Sequence, residues 1–564
     1  MRTKFVYSFS LILALTLLLA LPFPVSAGKP ADVNVQILAV NDFHGALDAS
    51  LTKPVTADQN TWYFRGGAEY LANFVNAAAA TNPNTVKVSA GDMIGASPLL
   101  SSIFHDEPTI RAFNLMGFGY SAVGNHEFDE GWQELLRMQH GGCHPVDGCI
   151  AGVPEFKGAT FDYLAANVIR LDNGRTLFPT VMVKQFGRVK VGFIGISLES
   201  TPTIVVPSGV AGLKFQPEVN AINHYVKFLK AWLDLKAIVV LLHDGAAAGP
   251  TINTCTTSDP FFANVAMKID PEVDVLITGH SHNAYNCQIQ VKQNYAPMLV
   301  TSAGYNGRYL TDIDLTISGV NDQVIAKTAT NIPVETPYLT AAPNAAMTAL
   351  LAPYRAIAVP IANTVIGSIT ADIKRNSADS TAESALGDVI ADAQLEATTP
   401  AAAGGAVAAM TNPGGIRTDL VFAQSVGEGD GKVTYGEAFA VQPFSNTLVT
   451  MTLTGAQLKA VLEQQATTAK TLQLSASLTY TWTKSAAVES KVSNLKINGV
   501  AVNPTASYRV TVNNFLAAGG DGFTRLTAGT NLFTGGVDLD AFVNYITSHS
   551  PVAPGPMNRI TVVP

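Results

Sequence analysis

From Val33 onward the chain alternates β-branched runs with short polar loops. These runs predict strands at Val33–Val40, Val86–Ser89, Tyr120–Val123, Val191–Ile196, Ile238–Leu242, Val273–Thr278 and Met298–Ser302. Glu69–Ala80 and Val219–Leu235 read as helices between them. Strands alternating with helices predict a layered α/β domain. Residues 331–362 are rich in Pro, Thr and Ala and read as a connector, with one helix near Ala345–Ile357 held between prolines. From about Ile366 a second α/β region runs to the end, and Ala401–Ala409 reads as a loop entering a buried strand. The division expected is 28–335 for the first domain, 336–362 for the linker and 363–564 for the second. No internal repeat is visible.

The N-terminus carries a different pattern. Arg2 and Lys4 precede the apolar run Leu11–Leu21, and Val25-Ser26-Ala27 offers small residues for cleavage. The run is too short for the ~20 residues of a spanning helix. Residues 1–27 therefore read as a secretory signal peptide, and the chain is expected to be exported, periplasmic or secreted, with no stable membrane insertion after cleavage. Hydrophobic residues make up 47% of 564, enough for large cores. The formal charge of −8 gives no general attraction for a nucleic acid polymer. The four cysteines follow the leader, as suits an oxidising compartment. Four cysteines allow three pairings; Cys143–Cys149 with Cys255–Cys287 is favoured, because the first pair can meet through a Gly/Pro turn.

Chemistry-bearing residues cluster at the ends of the predicted strands. Asn41-Asp42-Phe43-His44-Gly45 follows the first strand and Gly91-Asp92 the next. Gly124-Asn125-His126-Glu127-Phe128-Asp129, His243-Asp244-Gly245 and Gly279-His280-Ser281-His282 follow three others. Loops leaving the carboxyl ends of strands in an α/β sheet converge on one crevice. Of ten histidines, five (His44, His126, His243, His280, His282) fall in these motifs. Asp, His and Asn together suit Zn²⁺, Mn²⁺ or a related divalent ion, and a two-metal site needs a bridging carboxylate, for which Asp92 is placed.

In this order the motifs resemble the calcineurin-like metallophosphoesterases. The second half adds Glu383–Ala393 (ESALGDVIADA), Asn412–Arg417 (NPGGIR), Gln442–Asn446 (QPFSN) and Asn514–Phe523 (NFLAAGGDGF). These resemble the C-terminal domain of secreted bacterial 5′-nucleotidases and UDP-sugar hydrolases. The resemblance implies a four-layer α/β/β/α domain followed by a smaller α/β domain that binds substrate. It implies two divalent metal ions, one held by Asp42, His44, Asp92 and His282, the other by Asp92, Asn125, His243 and His280. Some relatives have Gln at the position of His282. It leaves His126 free of metal, oriented and kept protonated by Asp129.

The resemblance also implies a pocket. Arg417, and with it Arg375, would bind phosphate. Phe444 and Phe515 would stack on a nucleobase, Asp521 would accept ribose hydroxyls, and Asn412 would sit near the sugar or phosphate. The implied activity is hydrolysis of nucleoside 5′-monophosphates, with nucleoside di- and triphosphates and UDP-sugars as further substrates. A water activated by the two ions would attack phosphorus in line with the leaving 5′-oxygen. The expected partner is a small nucleotide, not a polymer. Residues 331–362 would form the hinge between the domains. The nearest alternatives are a 2′,3′-cyclic-nucleotide phosphodiesterase/3′-nucleotidase and a nucleotide-sugar pyrophosphatase. A secreted nucleotide-binding or adhesion protein without catalysis belongs to another class.

Overall fold

The computed structural model describes residues 29–52, 62–376, 379, 381–424 and 427–564. The expected leader, residues 1–27, lies outside the described residues.

Two six-stranded mixed sheets form the first half. One runs, edge to edge, Val324–Pro333, Tyr309–Ile317, Val33–Val40, Thr85–Ser89, Tyr120–Ala122, Asp162–Leu164. Its last four strands are parallel. The other runs Ala284–Ile289, Met298–Ala303, Val275–Thr278, Ala237–Leu242, Val189–Ile196, Val181–Phe186, with the central four parallel. The sheets face each other. Val35, Ile37 and Ala39 meet Val191, Phe193, Val239 and Ile277 in one apolar layer, while Leu38 and Val40 point the other way into a second cluster. This period-2 division explains why Val33–Val40 is apolar almost throughout. Helices Ala68–Ala79, Glu107–Met116 and Trp132–His140 close the first sheet through Leu71, Val75, Ile110, Phe113 and Leu135. Helix Glu218–Leu233 closes the second through Ile222, Val226 and Leu229. The result is a four-layer α/β/β/α domain.

The second half is a smaller α/β domain. Its five-stranded sheet runs Gln473–Leu474, Ala408–Thr411, Ser507–Asn513, Thr447–Thr454, Thr530–Val537. Helix Gly455–Glu463 buries Leu458, Val461 and Leu462 in one cluster. Helices Ala385–Thr398 and Asp538–Ser548 bury Val389, Ile390, Phe542 and Ile546 in another, which Leu99 of the first domain joins. Both favoured disulfides, Cys143–Cys149 and Cys255–Cys287, are formed.

Two expectations need correction. The strand expected from Val273 begins at Val275, because Val273 closes a turn onto the Asp270 carbonyl. More consequentially, the helix in 331–362 does not stop between prolines. It runs Ala345–Ala362 with Pro353 and Pro360 inside it. An interior proline costs a helix ~3 kcal/mol. Met347, Leu351, Tyr354 and Ala358, spaced at helical intervals, are buried in the core of the first domain, and that packing outweighs the cost. Residues upstream are also committed: Val324–Pro333 and Glu335–Pro337 are strands. The segment expected to hinge is thus built into the first domain. By length and composition this helix alone, among described residues, would suffice to cross a membrane. Here its Arg355 pairs with Asp48 and Glu69 at 2.6 and 2.9 Å.

Candidate active site

All five motifs follow strand ends and meet at one edge of the paired sheets. Asp42 and His44 follow Val33–Val40, Asp92 follows Thr85–Ser89, and Asn125 follows Tyr120–Ala122. His243, His280 and His282 come from the opposite sheet, after Ala237–Leu242 and Val275–Thr278. The loops turn sharply. Asp42, His44, Asp92, His280 and His282 all have left-handed backbone, with φ of 50°, 49°, 50°, 65° and 58°. Such conformations are costly outside glycine and gather where function over-determines the chain. Gly124 allows the closest approach: a Cβ there would lie 2.1 Å from Asp92 Oδ1.

Hydrogen bonds orient the donors. Asn41 Nδ2 donates to Asp42 Oδ2 at 2.6 Å, and the His280 N–H donates to both Asp42 oxygens at 3.0 Å. Asp92 Oδ1 accepts from the His126 N–H at 2.9 Å. His44 Nδ1 donates to the Gly95 carbonyl at 2.9 Å, and His243 Nδ1 to the Ala90 carbonyl at 2.8 Å. A carbonyl only accepts, so the ring proton sits on Nδ1 and Nε2 presents a lone pair. Those lone pairs converge. His44 Nε2 lies 3.0 Å from His282 Nε2 and 3.7 Å from Asp92 Oδ2. His243 Nε2 lies 3.0 Å from Asp92 Oδ2 and 3.1 Å from Asn125 Oδ1, which is 3.0 Å from His280 Nδ1.

This donor set fits two divalent ions. Asp42–His44–His282 and Asp92–His243–His280 each bring their ligand atoms within 4.8 Å of one another. Burial holds the His44 and His280 imidazoles down at about 3, in the neutral form a metal requires. At His243, burial is outweighed by the Asp92 and Asp42 charges, which raise it to about 10. The space between Nε2 and Asp92 thus favours positive charge, which a proton or an ion can supply. His126 also approaches His44 and Asp92, but its Nδ1 is taken by Asp129 Oδ2 at 2.8 Å. Burial opposes charge on His126, yet Asp129 and Asp92 shift it upward.

The two domains enclose a cleft. Asn125, His126, Asp129 and His280 line it from the first domain, and Asn412, Arg417, Phe444, Phe515 and Asp521 from the second. Arg417 lies over the Phe444 ring at 5.6 Å, and that ring stacks on His126 at 5.7 Å and 15°. Asp521 accepts from Asn412 at 2.8 Å. Phe515 rests on Gly520, where a Cβ would stand 2.5 Å from its ring. Arg375 does not line the cleft; its guanidinium donates to the Ile416 carbonyl at 3.0 Å, next to Arg417.

Several wall residues were not anticipated. Lys470 pairs with Asp521 at the cleft. It comes from an unremarkable Thr/Ala/Lys stretch, and no motif marks it. Ile204, Val205 and Val206 supply an apolar wall from the first domain. Glu127 accepts the N–H groups of Asp92, Met93 and Gly124 at 2.9, 2.8 and 2.6 Å. Its place inside the 124–129 motif was a usable signal.

Two family models match the chain. Residues 35–284 match the calcineurin-like phosphoesterase model and residues 365–528 the 5′-nucleotidase C-terminal domain model. The chain belongs to the 5′-nucleotidase family. Among relatives, it is 33% identical to the cell wall protein Lmo0130 of Listeria monocytogenes, over 95% of this chain and 70% of that one. It is 31% identical to the endonuclease YhcR of Bacillus subtilis, over 92% of this chain but only 40% of that one. It is 24% identical to the 5′-nucleotidase of Vibrio cholerae, over 92% and 90%. The 5′-nucleotidase precursor of Thermus thermophilus shares the fold with a TM-score of 0.76, at 24% identity over 94% of this chain and 99% of that one. This family member is therefore a metallophosphoesterase-type hydrolase in fold and donor set.

Proposed function

We propose that the protein is an exported dinuclear-metal 5′-nucleotidase that releases phosphate from nucleoside 5′-monophosphates. The observation that carries this reading is the single cleft onto which both motif sets open. His126, Asn125 and His280 stand on one wall, and Arg417, Phe444, Phe515 and Asp521 on the other. Asp42, His44, Asp92 and His282 would hold one ion, and Asp92, Asn125, His243 and His280 the other. Bound there, divalent ions supply Lewis-acid charge and a nucleophile at neutral pH.

The protein's own residues supply the rest. Arg417 offers a planar fork of donors to the phosphoryl oxygens. Arg375, bonded to the Ile416 carbonyl next to Arg417, adds a second positive charge. His126, with Nδ1 fixed by Asp129, turns Nε2 to the leaving 5′-oxygen and can give it a proton. Phe444 and Phe515 offer ring faces to the base, and Asp521 accepts from the ribose. Asn412 holds Asp521 in place. Lys470 beside Asp521 adds positive charge at the nucleoside end. Export is supported by the leader pattern, the two disulfides and the cell-wall relative.

The test is product release from AMP, UDP-glucose, 3′-AMP, 2′,3′-cyclic AMP, bis(p-nitrophenyl) phosphate and single-stranded DNA, with Zn²⁺, Mn²⁺ or EDTA. Preference for AMP that EDTA abolishes is expected. The Bacillus endonuclease relative supports a second reading, cleavage of a polymer. Faster cleavage of DNA than of AMP would establish it. Preference for cyclic or 3′ substrates would keep the metal site and overturn the pocket assignment. No turnover with two ions bound would favour a binding protein.

A further inference from the structure

Outside the main centre, four further metal-ligating side chains converge. His105, Glu130, Glu134 and His144 bring ligand atoms within 4.8 Å of one another. They arrive from four places in the chain. His105 sits just before helix Glu107–Met116 with a left-handed φ of 50°. Glu130 follows Asp129, Glu134 lies in helix Trp132–His140, and His144 lies in the loop closed by Cys143–Cys149. The imidazoles of His105 and His144 stack at 3.8 Å and 11°. His105 Nδ1 is 2.7 Å from Glu130 Oε2 and its Nε2 is 2.9 Å from Asp147 Oδ2, which lies 3.3 Å from His144 Nδ1.

The geometry points to a further cation site here, formed by His105, Glu130, Glu134 and His144 and suited to a zinc-class ion. Two imidazoles with two carboxylates match the ligand preference of borderline divalent metals. Zinc bonds of about 2.0–2.2 Å in a tetrahedral shell put ligand atoms roughly 3.4 Å apart, so rotamer-scale closure from the present spacing completes the shell. The charge balance asks for a cation. Arg137 pairs with Glu107 and Glu134 at 2.6 Å, and Glu130 and Asp147 both bond His105, so four carboxylates face one guanidinium and one imidazole. Arg137 engages both Glu134 oxygens, and each keeps a second lone pair for an ion. His105, Glu130 and Glu134 also line a second cavity, whose other walls include His126, Asp129 and Phe444. An ion here clasps the 143–149 loop to the wall next to Asp129, the partner of His126.

The test is metal content of the full chain dialysed against Zn²⁺, compared among wild type, His144→Ala, Glu130→Gln and His140→Ala. The variants at 144 and 130 are expected to hold one zinc equivalent fewer than wild type, and exposed His140→Ala the same as wild type. Zinc should also raise Tm further in wild type than in His144→Ala. Equal zinc content in all four proteins, with unchanged circular dichroism, overturns the site. The readout is a difference between proteins, so it does not depend on how many ions the main centre holds or on which ester is cleaved.

Discussion

At the scale of single residues, the site separates groups that would hold metal from groups that would meet substrate. His126 is tied to Asp129, not to the converging lone pairs. His126→Ala should therefore keep its metal and lose about 10²–10⁴-fold in kcat, read by metal analysis beside steady-state kinetics. Loss of an ion in that variant would move His126 into the ligand set. Phe515→Ala should instead raise KM by roughly 5–150-fold, the equivalent of ~1–3 kcal/mol of stacking, with kcat little changed. The converging Asp, His and Asn residues were legible in the sequence because they sit in short glycine-flanked motifs after strands. Asn41 lay within one of those motifs, yet its part was not legible. It fixes Asp42 by also bonding Gly304, 263 residues away, and no local pattern announces such a partner. Lys470 was hidden for the same reason.

At the scale of elements, helix Ala345–Ala362 decides how much of the chain can move. Leu351 is fully buried in the first domain's core. Leu351→Ala should cost about 2–5 kcal/mol, seen as a lower denaturation midpoint; a surface-like loss below ~0.5 kcal/mol would restore the hinge reading. Proline spacing suggested a shorter helix because propensity is local, whereas this helix is held by tertiary packing. Helix Asp538–Ser548 supplies a pH test. Burial pushes Asp538 up to about 7 against the Leu539 and Asn446 hydrogen bonds that favour its charge. A carboxyl whose folded value exceeds its unfolded 3.8 stabilises at low pH and loses that contribution as pH rises through about 7. Asp538→Asn should therefore flatten the fall in Tm between about pH 4 and 7. Parallel curves for the two proteins would sink the assignment. Asp538 also donates its N–H to the Asn446 carbonyl at 2.8 Å, and Asn446 lines the cleft.

At the scale of the whole molecule, folding gathers buried anionic and lone-pair donors that only a cation satisfies. Removing metal with EDTA should lower Tm as well as activity, since an ion that binds only the folded chain stabilises it in proportion to its affinity. Activity lost at constant Tm would mean that the ions contribute little to the fold. The Cys255–Cys287 bridge spans 32 residues and ties a loop to strand Ala284–Ile289, beside the His280–His282 turn. Cys255→Ser with Cys287→Ser should cost about 3–4 kcal/mol, measured by denaturant titration.

The α/β class, the order of the motif-bearing strands and the gathering of Asp, His and Asn at strand ends could be read along the chain. Each of these depends on short-range information: period-2 apolar runs, glycine-flanked turns, and histidines set at strand ends. Tertiary contacts alone set that Arg375 bonds the carbonyl next to Arg417, that Phe444 lies against His126, and that the connector helix packs into the first domain's core. Those facts arise from contacts between positions tens to hundreds of residues apart. Packing and charge satisfaction set them, and neither leaves a periodic trace along the chain.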